Sequence, residues 1–320
     1  MPEGFSFVDA PEISPGGAQR EGNMEEKQQL SLQRAMREYF DSIYLETRHI
    51  DGGKPETAMD LFGNQLSTPV MARVCPGPDG QAAAKGKAAA RAGAGAWAPM
   101  EEEGEFVKIT AAGAKTLALV KPYEDHKLII AQMERAAECN AFAIGLEIDC
   151  VFGREGNPRR IKGHALGPKT LEALGQLAAA SPLPFVVKGV LSQKDAYKCL
   201  EAGASGIMVS PDPLLGSRGL LPLEALPGIL KVADGRIPVF VEGGITSGAD
   251  VFKCLAMGAA AVCVGQVLEK PFQERGEEGF LEEINRMNAE LKGIMARAGC
   301  PSLKCISKDS LWKTDSACRP

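Results

Sequence analysis

The chain has 320 residues, of which 45% are hydrophobic, with a formal net charge of −5 and a pI near 5.5. Such a composition supports a sizeable core in one large domain, and the acidic balance with scattered Lys and Arg argues against nucleic acid as a partner. Nine cysteines, an odd number placed mostly inside apolar runs (Cys139, Cys150, Cys199, Cys254 and Cys263), suit reduced, buried thiols rather than a disulfide framework.

In chain order, the residues up to Asn23 are rich in Pro, Gly and acid and read as a loose arm. They lack the basic and apolar regions of a signal peptide, and no apolar run reaches the ~18 residues of a membrane span, so a cytoplasmic location is expected. From Met24 to Leu45 the pattern is helical, with Leu32, Met36, Phe40 and Ile43 on one face. Gly63-Asn64 lies between two short strand-like pieces, a hairpin that could plug the bottom of a barrel.

Eight strand–helix units then follow. The expected strands are Val70–Cys75, Ala94–Ala98, Thr116–Lys121, Ala143–Asp149, Phe185–Val190, Gly206–Ser210, Val239–Glu242 and Ala260–Val264. Helical patterns separate them, except after the second strand, where EEEGEFVKITAAG offers a single turn. Eight such alternations predict a (β/α)₈ TIM barrel over residues 24–320, with a doubly wound sheet as the competing fold.

Catalytic groups of a barrel gather at the C-terminal ends of its strands. Those ends carry Arg73, Cys75, Lys121, Glu147, Asp149, Lys188, Asp212 and Glu242. An unpaired charge is costly to bury, so a ring of them predicts a polar site. Lys188, directly after Phe185-Val186-Val187, should project into the mouth, where it would stabilise negative charge on a reduced flavin ring. In the last two units, Gly243 and Gly244 let the backbone approach a ligand, the next helix offers its positive end, and Gly265 opens a second turn. This is the phosphate-binding arrangement of a barrel, and flavin mononucleotide (FMN) is its expected occupant. A surface or capping role is expected for His49, His126 and His164. Cys300, Cys305 and Cys318 have neither a CxxC pair nor a neighbouring His, so no metal site is expected.

PFVVKGVLSQKDAYKCLEAGASGIMVS, IPVFVEGGITSGADVFKCLAMGAAAVCVG and AGCPSLKCIS resemble the FMN-dependent α-hydroxy-acid oxidase and dehydrogenase family. The resemblance implies that Lys188 lies by the flavin N1/O2 edge and Ser210 at the end of strand six. It puts Glu242 in place of a ribityl-binding aspartate and makes Gly243, Gly244 and Gly265 a phosphate cradle with Gln266 beside it. It also implies a small-molecule substrate and a homo-oligomer. Several positions depart from the family pattern. Asp212 occupies the place of the catalytic His, Arg218 is displaced, and Thr246 and Gln266 replace two arginines. Lys121 aligns with an active-site tyrosine, and Phe152 lies near the position of a substrate-binding arginine. The residues expected to carry chemistry are therefore Lys188, Asp212, Lys121, Glu147 and Arg73, with Cys75 beside the flavin. A non-redox isomerase or lyase holding another phosphorylated ligand, or a binding protein without catalysis, is the alternative.

Overall fold

The computed structural model describes residues 15–50, 53–77, 80–212 and 214–313, with side chains over 27–312 of these. Eight parallel strands close into a barrel in sequence order: β1 (Val70–Arg73), β2 (Gly95–Pro99), β3 (Lys115–Val120), β4 (Ala143–Glu147), β5 (Phe185–Lys188), β6 (Gly206–Val209), β7 (Val239–Glu242) and β8 (Ala261–Val264). Closure comes from β8 pairing with β1, Val262 opposite Val70 and Val264 opposite Ala72. These strands are short apolar runs because both of their faces are buried, one toward the lumen and one toward the helices.

The helices are α1 (Pro15–Asp41), α2 (Gln81–Arg91), α3 (Glu103–Ala111), α4 (His126–Glu138), α5 (Leu171–Ala180), α6 (Gln193–Glu201), α7 (Pro222–Ala233), α8 (Gly248–Ala256) and α9 (Gln266–Arg297). Helix α9 is two segments that meet at Gly276, whose φ is 58°. Helix α3 corrects the expected single turn, being nine residues long. Its buried stripe is only Phe106 and Ile109, and Gly86 of α2 admits Ile109 so closely that a Cβ there would lie 3.1 Å from its backbone.

Helix α1 begins at Pro15, nine residues before the expected start, while residues 1–14 of the expected arm lie outside the described residues. Leu32, Met36 and Phe40 on α1, and Ile43 just beyond it, are all buried, as their spacing predicts. The hairpin forms between Met59–Leu61 and Asn64–Leu66, with Phe62 and Gly63 at its tip rather than Gly63-Asn64. Both tip residues have positive φ, 50° and 76°, as a two-residue hairpin turn requires. Leu61, Phe62 and Leu66 pack against Trp97, Phe142 and Phe240 and so close the N-terminal end of the lumen. The other end remains for a site.

Candidate active site

At the C-terminal mouth lies a cavity of about 830 Å³, floored by the strand ends and walled on one side by α1. Its charged floor follows from strand register. Lys188 is directly opposite Glu147 across β5 and β4, which brings Lys188 Nζ within 2.8 Å of Glu147 Oε1. The same ammonium reaches Asp149 Oδ2 at 3.0 Å and Glu242 Oε2 at 3.4 Å. Asp149 lies just beyond β4, on a 3₁₀ turn, and its Oδ2 also accepts from Ser210 Oγ at 2.9 Å. Lys121 bridges Glu147 and Glu101, and Arg73 pairs with Glu242 at 3.3 Å.

This pairing decides the protonation states. Burial would raise the Glu147 carboxyl, but the ammoniums of Lys188 and Lys121 override it and hold the group well below the usual range. Burial would lower Lys188, yet Glu242, Asp149 and Glu147 push it well above its ordinary value. Lys121 is raised in the same way, with Glu147 and Glu101 prevailing over burial. A carboxylate depressed in the folded state stabilises the fold above its unfolded pKa, and that contribution is lost as pH falls. The stability gap between wild type and Glu147→Gln should therefore be full above about pH 5 and narrow on acidification, because an unfolded Glu titrates near 4.3. Its full size should be roughly 3 kcal/mol, the low end for breaking a buried pair, since Lys188 and Lys121 keep other partners. Urea unfolding between pH 3 and 7 checks this, and a gap independent of pH would contradict it.

Over the β7–α8 and β8–α9 turns lies α1. Gly243 and Gly244 have φ of 112° and 71°. A Cβ on Gly244 would fall 2.7 Å from Met36 Cβ and 3.2 Å from Phe40; one on Gly265 would fall 3.2 Å from Arg73 Cβ. The room left by these glycines is thus shared between the cavity and the neighbouring side chains, whereas the sequence reading gave it wholly to a ligand. Arg37 fixes the helix with a bidentate pair to Asp250 (2.8 and 2.9 Å) and a bond to Thr246 Oγ1 at 3.1 Å. Gln33, one turn earlier, donates to Gln266 Oε1 at 2.8 Å, and Lys253 Nζ donates to the Phe40 carbonyl at 2.8 Å. Thr246 and Gln266, which replace the two arginines of the resemblance, are therefore both held by α1.

FMN fits what is present. The cavity is of ligand size, positive-φ glycines line one end of it beside the first residues of α9, and Lys188 stands on the floor.

The model of the family described as FMN-dependent dehydrogenase matches residues 21–171 and 154–313. Glycolate oxidase 3 of Arabidopsis thaliana is 31% identical over 315 residues, covering 83% of each chain.

The chain belongs to the FMN-dependent dehydrogenase family.

A 2-hydroxyacid oxidase of Dictyostelium discoideum is 39% identical over 147 residues, which is 45% of this chain and 37% of that protein. Among solved structures, a mandelate oxidase variant with 2-hydroxy-phenylacetamide superposes with a TM-score of 0.78 at 26% identity, covering 89% of this chain and 90% of that one. Another, with a C4a-OH-FMN adduct, gives 0.77 at 26% identity over 86% and 89% of the two chains. The family's cofactor is FMN, and its members are oxidoreductases acting on CH–OH groups.

In this FMN-dependent dehydrogenase family member, Arg73, Cys75, Lys121, Glu147, Lys188, Glu242, Gly243, Gly244, Gly265 and Gln266 all line the one cavity. Ser210 does not line it and instead supports Asp149 from below. Asp212 does not line it either. Its Oδ1 accepts from Leu214 N at 2.8 Å, so the carboxylate caps a turn between Pro211 and Leu214, which do line the cavity. None of the three histidines lines the cavity, and His164 packs edge-on to Tyr123 elsewhere. Sequence reasoning missed Glu101, which follows β2 by two residues and was legible as one more charged strand end. It also missed Arg37 and Gln33, whose i, i+4 spacing beside an apolar stripe was their only signal.

Proposed function

We propose that this chain is an FMN-dependent oxidoreductase whose substrate is not a simple 2-hydroxy acid. The observation that carries the reading is one cavity bringing together the glycine turns of β7 and β8 with Lys188 on its floor. The backbone amides of the glycine turns would hold the cofactor phosphate, and the charge of Lys188 on the floor would favour the reduced ring. FMN, when bound, supplies a two-electron acceptor. The protein's own groups orient a substrate and hold protons. Glu147 stays ionised across the working range, so its carboxylate accepts hydrogen bonds from a ligand and does not donate them. Homo-oligomeric assembly with a small-molecule substrate is part of this reading and rests on the family resemblance.

The departure in substrate is supported by charges already committed elsewhere. Arg73 and Lys121 are taken by carboxylates, Asp212 caps a turn, and no His is at hand as a base. General-base removal of a hydroxyl proton supplies a factor of about 10²–10⁴ in rate. Anaerobic mixing of the flavin-loaded protein with glycolate or L-lactate should therefore leave the flavin oxidised, or reduce it slower than a competent family member by about that factor. Rapid bleaching by L-lactate would refute the reading.

A further inference from the structure

The cations of the cavity are unequal. Lys188, Lys121 and Arg73 on the floor face four carboxylates, those of Glu101, Glu147, Asp149 and Glu242. Arg37 in the α1 wall is spent on Asp41 and Asp250. Arg159 lines the same cavity, is exposed, and its side chain makes no hydrogen bond or ion pair among the described residues. Its backbone is nonetheless fixed. Arg159 N donates to Val151 O at 2.8 Å, and its carbonyl accepts from Leu166 N at 2.8 Å. Phe152 is bridged to Pro158 just before it. A short cross-strand pairing after β4 thus holds one free guanidinium at the rim, while the buried floor carries an excess of carboxylates.

Floor and rim ask for different chemistry. Carboxylates accept hydrogen bonds and repel a second anion placed beside them. An unpaired guanidinium favours a carboxylate or phosphate, which it binds through two parallel bonds. We propose that the substrate has two unlike ends: a neutral, donor-bearing end, a hydroxyl or amine, for the floor, and an anionic group remote from it that Arg159 binds at the rim. This rests on the cavity being the substrate site, as in the proposed function, and it explains why an acid with its carboxylate next to the hydroxyl carbon is disfavoured.

The test is calorimetric titration of the flavin-loaded protein with ω-hydroxy acids from hydroxypropanoate to hydroxyoctanoate, each beside the isomeric 2-hydroxy acid and the diol of the same length. The best ω-hydroxy acid should bind at least about tenfold tighter than either comparator, the scale of one charge-assisted pair. Arg159→Leu should abolish the advantage over the diol and leave diol affinity unchanged, and Arg159→Lys should keep part of it. Replacing the carboxylate by a phosphate monoester in the preferred length tells which anion the rim favours. No ω-hydroxy acid binding tighter than its diol, or an unchanged preference in Arg159→Leu, overturns the proposal. Flavin absorbance recorded before ligand is added separates the outcomes: a protein that takes up no FMN fails the FMN reading, while the ligand heats still decide the role of Arg159.

Discussion

Gly244→Val is expected to lose both flavin retention and the seat of α1 in one substitution. A side chain at this position would meet Met36 Cβ at 2.7 Å and Phe40 at 3.2 Å, on a backbone with φ of 71°. A branched residue in left-handed conformation and an overpacked contact cost about 1–3 kcal/mol each. The helix it displaces carries Arg37 and Gln33, which hold Thr246 and Gln266 beside the glycine turns. Gly203→Ala is the control: its φ is 80°, but nothing lies within 4 Å of the added carbon, so only strain remains. The control should keep its flavin at a modest loss of stability. A folded Gly244→Val protein retaining flavin at wild-type occupancy would show that the phosphate lies elsewhere.

Lys188→Met should be among the most destabilising single changes in the chain. The lysine is 5% exposed and reaches three carboxylates within 3.4 Å. Removing the charge leaves Glu147, Asp149 and Glu242 crowded at the floor, and stripping one partner from a buried pair costs about 3–5 kcal/mol. Thermal unfolding should show this directly, with Lys188→Met, Glu147→Gln recovering part of the loss because one of the repelling charges is gone. The flavin reduction potential should fall as well, since a cation near the ring's edge favours its reduced form. The carboxylates packed round the ammonium are the reason stability falls together with the potential. Unchanged unfolding in a flavin-loaded Lys188→Met protein would remove the lysine from the centre of the cluster.

The barrel was legible because its strands are short, apolar and separated by helix-length amphipathic runs, a pattern that local chemistry sets. The glycine turn at Gly243-Gly244 was legible for the same reason. What a sequence does not display is which charges pair. Lys188 stood out as a lone cation at a strand end, and only the β4–β5 register shows Glu147 level with it. Asp212 read as the residue in place of a base, yet its own backbone neighbour, Leu214, captures the carboxylate. Arg37 lies more than two hundred residues from Asp250, a distance over which helical periodicity carries no signal. Helix α3 was underestimated because an exposed helix needs only a two-residue apolar stripe where a glycine admits it so closely.

The central claim, an FMN-binding barrel, is tested most directly by the visible spectrum of the purified protein, as isolated and after titration with FMN. Oxidised-flavin absorbance that survives desalting is expected, or a colourless protein that takes up one FMN per chain. A colourless protein that does not bind added FMN would contradict it.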